Sequence, residues 1–210
     1  MKDIYIIGAG GCGREIAWLI ERINNIKETW NIKGFIDDNE KILNKVIDGY
    51  EVVGDCNYLS ELNNVYAVCA IGNVNIRKTI INRLKGCKVL FATLIDPSVI
   101  MSERVNIGEG TIICARTFIT VNITIGNHVI ICGGSTLGHD DVIEDYVTVY
   151  PGANISGNVN VGECCEIGTG AHIIQGLNIV RESIIGAGAV VVKDVIESGT
   201  YVGNPVRKIK

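Results

Sequence analysis

The sequence predicts a small parallel α/β domain over residues 1–92, followed by a parallel β-solenoid over residues 93–210. Two observations carry this reading. Aliphatic residues recur every six positions through the second half without a slip. The first half opens with a strand, a glycine loop and a helix, in that order.

The repeat is the stronger signal, because self-similarity at a fixed period marks a repeat architecture. From Ile95 the six-residue step meets Met101, Ile107, Ile113, Ile119, Ile125, Ile131, Leu137, Ile143, Val149, Ile155, Val161, Ile167, Ile173, Ile179, Ile185 and Val191. In a chain that is 47% hydrophobic, seventeen hits in one phase have a chance probability on the order of 10⁻⁶. Four residues after the aliphatic stands a small or β-branched residue at Thr111, Thr117, Val129, Ser135, Ala153, Ala171, Ser183 and Ala189. Glycine directly follows the aliphatic at Gly108, Gly126, Gly138, Gly162, Gly168 and Gly186. A period of six suits neither a helix nor a simple alternating strand. It suits short strands separated by tight corners, three six-residue faces to a coil, with coils stacked about 4.8 Å apart. The aliphatic points inward, and the small residue sits where the corner leaves little room.

In the first half, Ile4–Ile7 reads as a buried strand, and Gly8-Ala9-Gly10-Gly11-Cys12-Gly13 fits G-x-G-x-x-G. Helical spacing follows from Arg14 to Ile26, with Ile16, Leu19, Ile20 and Ile23 on one face. A second strand, Lys33–Ile36, ends in Asp37-Asp38; a third, Tyr66–Ile71, ends in Gly72-Asn73; and a second helix spans Val74–Lys85. Strands alternating with helices predict a parallel sheet. A glycine loop opening a helix lets backbone amides approach an anion, and an acid after the second strand suits a ribose hydroxyl. About 90 residues is too few for two mononucleotide-binding halves, so one nucleotide-sized ligand fits better than NAD.

Composition narrows the function classes. The net charge is -4 and the pI about 5.4, with no basic run longer than the last few residues, which argues against a nucleic-acid backbone as partner. Mean hydropathy is +0.29, yet no stretch reaches the ~20 apolar residues of a membrane span. The N-terminal segment lacks the pattern of a secretory signal, and the expected location is cytoplasmic. None of the eight cysteines forms a C-x-x-C pair, so reduced, structural thiols are expected rather than a zinc knuckle. Cys114 and Cys132, one full coil apart, are expected to stack as free thiols on adjacent rungs.

Histidine is the side chain best suited to act as a base at neutral pH. There are three, His128, His139 and His172. His139 lies in Gly138-His139-Asp140-Asp141, where a neighbouring carboxylate stabilises the imidazolium. His128 and His172 are expected to be structural or exposed. The three fall on different faces of the coil, which counts against a metal site, and no metal is expected.

The combination of motifs resembles one family. Hexapeptide repeats of this kind resemble the left-handed β-helix acyltransferases, and Gly203-Asn204-Pro205-Val206-Arg207 is similar to the tail that closes many of them. A truncated Rossmann-like domain with Gly8-Ala9-Gly10-Gly11, an Asp37-Asp38 strand end and Ala70-Ile71-Gly72-Asn73 resembles the sialic acid O-acetyltransferase and bacillosamine N-acetyltransferase group over essentially the whole chain. The resemblance implies a small Rossmann-like nucleotide-sugar-binding domain and a left-handed β-helix, a homotrimer, and acetyl-CoA lying between subunits. It implies acetyl transfer to an amine or hydroxyl of a sugar or nucleotide-sugar, with no NAD. It places nucleotide-sugar contacts on Gly10, Gly11, Cys12, Asp37, Asp38 and Gly72, and acetyl-CoA contacts on Thr148, Thr169 and Ala187. It makes His139 the general base, tuned by Asp140. Three positions depart from the family pattern: Cys12 and Thr148 stand where histidine is common, and Cys132 where asparagine is. Readings kept beside this one are a non-catalytic sugar-nucleotide-binding partner, an NAD(P)-linked activity, a non-sugar acceptor such as serine, and a covalent route through Cys132 or Cys164.

Overall fold

The computed structural model describes residues 1–210, which divide into two units, Met1–Pro97 and Ser98–Lys210. The first runs β1 (Lys2–Ile7), α1 (Gly11–Ile26), β2 (Trp30–Ile36), β3 (Val46–Ile47), β4 (Tyr50–Gly54), α2 (Cys56–Glu61), β5 (Val65–Cys69), α3 (Val74–Arg83) and β6 (Val89–Phe91). A strand without polar alternation must be covered on both faces, and Ile4 to Ile7 are buried throughout. The strand order is β3-β4-β2-β1-β5-β6, parallel except for the β3–β4 hairpin. The connections leave β1 toward β2 on one side and return to β5 on the other. The switch point between β1 and β5 is where an open α/β sheet offers a ligand crevice.

α1 buries Ile16, Ala17, Leu19 and Ile20 and exposes Arg14, Glu15 and Trp18. It begins at Gly11, three residues before the expected start, because the glycines themselves take helical geometry. The β3–β4 hairpin, α2 and β6 are additions to the elements expected from the sequence. The hairpin has a local cause, since Asp48 and Gly49 both have positive φ (47° and 89°) and make the two-residue turn that joins twisted strands.

The second unit is a parallel β-helix. Its two-residue strands stack in register, each on the strand one coil away: Ile113 pairs with Ile131, Ile119 with Leu137, and Ile125 with Ile143. The repeat aliphatics fill the interior, with Ile113, Ile131, Ile143, Val149, Ile167 and Ile185 fully buried. Each corner turns through one left-handed residue. Positive φ recurs at Gly110, Arg116, Asn122, His128, Gly134, Asp140, Tyr146, Gly152, Asn158, Cys164, Gly170, Gly176, Glu182 and Gly188, again every six positions. The last coil is covered by Gly199–Val202, parallel to Ser183–Ile185 and antiparallel to Arg207–Lys208. All eight cysteines are free, and Cys114 and Cys132 follow the paired Ile113 and Ile131.

Because each rung contacts only its neighbours, a cavity in one rung removes contacts from two more. Ile131→Ala is expected to cost about 2–5 kcal/mol of stability, read from the urea midpoint of the far-ultraviolet circular dichroism signal.

Candidate active site

His139 occupies the tip of a corner, two residues after the inward Leu137 and one before the left-handed Asp140. Backbone bonds fix this corner from both sides: Asp140 N–H donates to Val121 O at 3.1 Å, and Asn158 N–H donates to His139 O at 2.7 Å. The imidazole Nδ1 lies 2.8 Å from Asp140 Oδ2. Asn122, one rung below, donates from Nδ2 to Asp140 Oδ1 at 3.1 Å. Bonds from His139 first and Asn122 second hold the Asp140 carboxyl below its usual range, so it is ionised near neutrality and can only accept. Nδ1 therefore carries the proton, and Nε2 keeps its lone pair outward. This is the arrangement of a general base oriented by a carboxylate.

The ring rests on the rung above. A Cβ at Gly157, one coil beyond His139, would fall 2.5 Å from Nε2, 2.7 Å from Cε1 and 2.8 Å from Cδ2. Sequence reasoning missed Gly157 and Asn122, and both were reachable by stepping one coil forward or back from the His-Asp pair.

Of the other two histidines, His128 is 7% exposed and stacks on Tyr146 with ring centroids 5.5 Å apart. His172 is exposed on a strand of another face. No group of three or more His, Cys, Asp or Glu side chains is placed to hold a metal ion. Thr169 and Ala187 are exposed on adjacent rungs, linked by Gly188 N–H donating to Thr169 O at 2.8 Å. Thr148 is 1% exposed, in the strand face paired with Ile130 and Glu166.

In the first unit, Gly10, Gly11 and Cys12 open α1, whose N-terminus has no side-chain cap. Cβ atoms at Gly10 and Gly11 would meet little or nothing within 4 Å, so their amides border open space. Gly8 has φ +98°, and a Cβ there would press on Ile71 and on Ala70 O, which makes glycine the residue this approach of two loops requires. The loop after β5 is tied down by Arg77, a fully buried guanidinium that donates to Ile71 O at 2.6 Å and Gly72 O at 3.0 Å. Cys12 is half-buried; burial first, then Glu15, pushes its thiol up to about 11, so it is neutral.

Asp37 and Asp38 line a cavity of about 200 Å³ together with Gly8, Cys56 and Ile71, and a neighbouring one of about 550 Å³ together with Asn44, Asp55 and Tyr58. Both carboxylates are already engaged. Asp37 accepts from Ala9 N–H at 2.9 Å and Asn39 N–H at 3.0 Å. Asp38 accepts from Cys56 N–H at 3.1 Å and from Arg83 at 2.5 Å. Burial pushes the Asp38 carboxyl up, but the Cys56 amide and Arg83 outweigh it and hold the group below its usual range. Of the residues expected at the site, Asp37 and Asp38 line the smaller cavity directly, and Gly8 and Ile71, which line it with them, stand at the start of the glycine loop and next to Gly72.

If Gly157 is the floor of the imidazole, Gly157→Ala should move the ring while leaving the rung intact. A misplacement of about 1 Å costs on the order of 10²-fold in rate. A loss of that size in kcat with an unchanged unfolding midpoint is the expected outcome.

The family model described as PglD N-terminal domain matches residues 3–84. UDP-N-acetylbacillosamine N-acetyltransferase of Bacillus subtilis (strain 168) is 37% identical over 119 residues, 55% of this chain and 52% of that protein, so the match spans about half of that relative's length. Among solved structures, WeeI from Acinetobacter baumannii AYE is 32% identical over 100% of both chains, with a TM-score of 0.87. A histidine-to-asparagine mutant of perosamine N-acetyltransferase from Caulobacter crescentus, in complex with CoA and GDP-perosamine, is 28% identical over 100% of this chain and 98% of that one, with a TM-score of 0.89. The likeness covers both parts of the expected fold class, a small Rossmann-like α/β domain and a left-handed β-helix of hexapeptide repeats. The chain belongs to the hexapeptide-repeat sugar acyltransferase family that includes the UDP-N-acetylbacillosamine N-acetyltransferases.

Proposed function

We propose that this protein transfers an acetyl group from acetyl-CoA to the amine of a nucleotide-linked sugar, with His139 as general base. The observation that carries the reading is the His139 Nδ1–Asp140 contact of 2.8 Å, which leaves Nε2 as the available acceptor at the tip of an exposed corner. In the reaction, the acceptor nitrogen attacks the thioester carbonyl carbon while Nε2 takes a proton from that nitrogen. The carbon–sulfur bond then breaks, and the imidazolium returns the proton to the departing thiolate. Asp140 stabilises the imidazolium during the interval when it carries both protons. Two of the relatives named above are N-acetyltransferases, which supports nitrogen over oxygen as the acceptor atom.

In this reading the uncapped start of α1 receives the phosphates of the acceptor through the amides around Gly10, Gly11 and Cys12, where the helix dipole favours an anion. The cavities beside Asp37, Asp38 and Gly72 take the nucleoside. Exposed Thr169 and Ala187 line the path of the pantetheine arm, with Thr148 shaping the face beside it, and the assembly is a homotrimer of cytoplasmic location.

The test is release of free thiol from acetyl-CoA with a panel of nucleotide-linked amino sugars and free sialic acids, for the wild type and His139→Ala. The expected result is turnover with one nucleotide-linked acceptor and a loss on the order of 10²–10⁴ in the variant. No thiol release with any acceptor, or equal rates for the two proteins, sinks the reading and leaves a non-catalytic sugar-nucleotide-binding partner in its place.

A further inference from the structure

The interior of the β-helix holds one carboxyl group. The inward position after each left-handed corner forms a ladder, here Ile123, Asp141, Val159, Leu177 and Val195. Asp141 is fully buried. Its Oδ1 accepts the Val159 N–H at 2.9 Å, while Oδ2 has no hydrogen-bond partner. Ile123 and Val159 fill the same position one rung below and one rung above with hydrocarbon, at none of the cost of burying a polar group.

Asp141 sits one residue past Asp140 and two past His139, so two carboxyls flank the imidazole's corner, one outside the coil and one inside. The Val159 amide that Asp141 holds is two residues from Gly157, the floor of the ring. One bond therefore joins the rung that carries the base to the rung that supports it. The titratable groups around Asp141 are His139 and Asp140 on its own corner. The rungs below and above present Asn122, Ile123, Gly157, Asn158 and Val159, none of which titrates. Burial pushes the Asp141 carboxyl up to about 7, opposed by the Val159 amide, the nearby Gly138 amide and His139, with Asp140 adding to the push.

On the acetyltransferase reading above, we propose that Asp141 is a positioning residue for His139. Its carboxyl clamps the corner of the base to the next rung, and on ionisation it adds an interior negative charge that favours the imidazolium formed during transfer. The neutral acid keeps the clamp through its carbonyl oxygen, and the carboxylate adds the charge. The rate therefore carries a second ionisation beside that of the base.

Stability carries the opposite sign. A carboxyl whose pKa is raised by folding leaves stability undiminished below its unfolded value of ~4, and stability is lost as pH rises toward ~7.

The test compares kcat/KM of the wild type and Asp141→Asn from about pH 5.5 to about pH 8.5. Asparagine keeps an oxygen for the Val159 amide and cannot ionise. Asp141→Ser is the second variant, since Ser135 and Ser183 already occupy equivalent inward positions. The expected result is a variant within about twofold of the wild type at the acid end and about five- to tenfold slower at the alkaline end, the range of one modest charge interaction. The melting temperature of the variant should rise relative to the wild type as pH goes from ~4 to ~7 and level off above that. A constant rate ratio across the range, at unity or at a uniform loss, overturns the proposal. Carbon-13 labelling of the aspartate carboxyls gives a readout independent of turnover: one resonance titrating near neutrality and missing from Asp141→Asn supports the proposal, and ordinary titration of every aspartate defeats it. A wild type without turnover bears on the acetyltransferase reading alone, and the labelled carboxyl then decides the case for Asp141.

Discussion

Everything at the candidate site depends on register between rungs. In the coil, the nearest non-local neighbour of any residue is its counterpart one coil forward or back, because parallel strands stack without offset. Asn122 meets Asp140, His139 meets Gly157, and Asp141 meets Val159. Three successive rungs thus build one histidine environment, and no long loop takes part. The imidazole is held by the same hydrogen bonds that hold the fold, which is the rigid support that the proposed role of general base requires.

The corner geometry adds a second constraint. Each corner needs one residue in the left-handed region, which costs most side chains about 1–2 kcal/mol. Aspartate and asparagine bear it best among residues with a side chain. Asp140 therefore meets a backbone requirement and an electrostatic one at a single position, and Asn122 meets the same requirement directly beneath it. Arg116, Tyr146 and Glu182 show that the solenoid tolerates poor residues at this position, because the rungs on both sides fix the backbone around them.

This explains what could be read from the residues alone. The inward aliphatics obey a covalent period, so the β-helix was legible from its first few repeats. The His139-Asp140 pair was legible because the two are adjacent in sequence. The left-handed positions were not, since side chains as different as Gly134 and Tyr146 occupy them. Gly157 carries no mark of its own, since its need for a bare backbone comes from an imidazole a full coil away and shows only when the 18-residue step is applied to His139. In the α/β unit the glycine loop and the strand-end acids stood out, but not how they are used. Asp37 and Asp38 bond the protein's own amides and Arg83, and Arg77, fully buried, had no mark in the sequence to distinguish it from a surface cation.

A stack of identical rungs has no intrinsic length. Each open end of its sheets is a row of unpaired amides and carbonyls, able in principle to accept another coil or another molecule. The closing segment, Gly199–Val202 folded back on Arg207–Lys208, reverses the strand direction at that edge and places Arg207 and Lys208 on the outermost strand, both exposed. An antiparallel, positively charged rim is a poor template for a further parallel rung. The hairpin closes the sheet that carries it: a further rung there would have to pair with a charged strand running the wrong way.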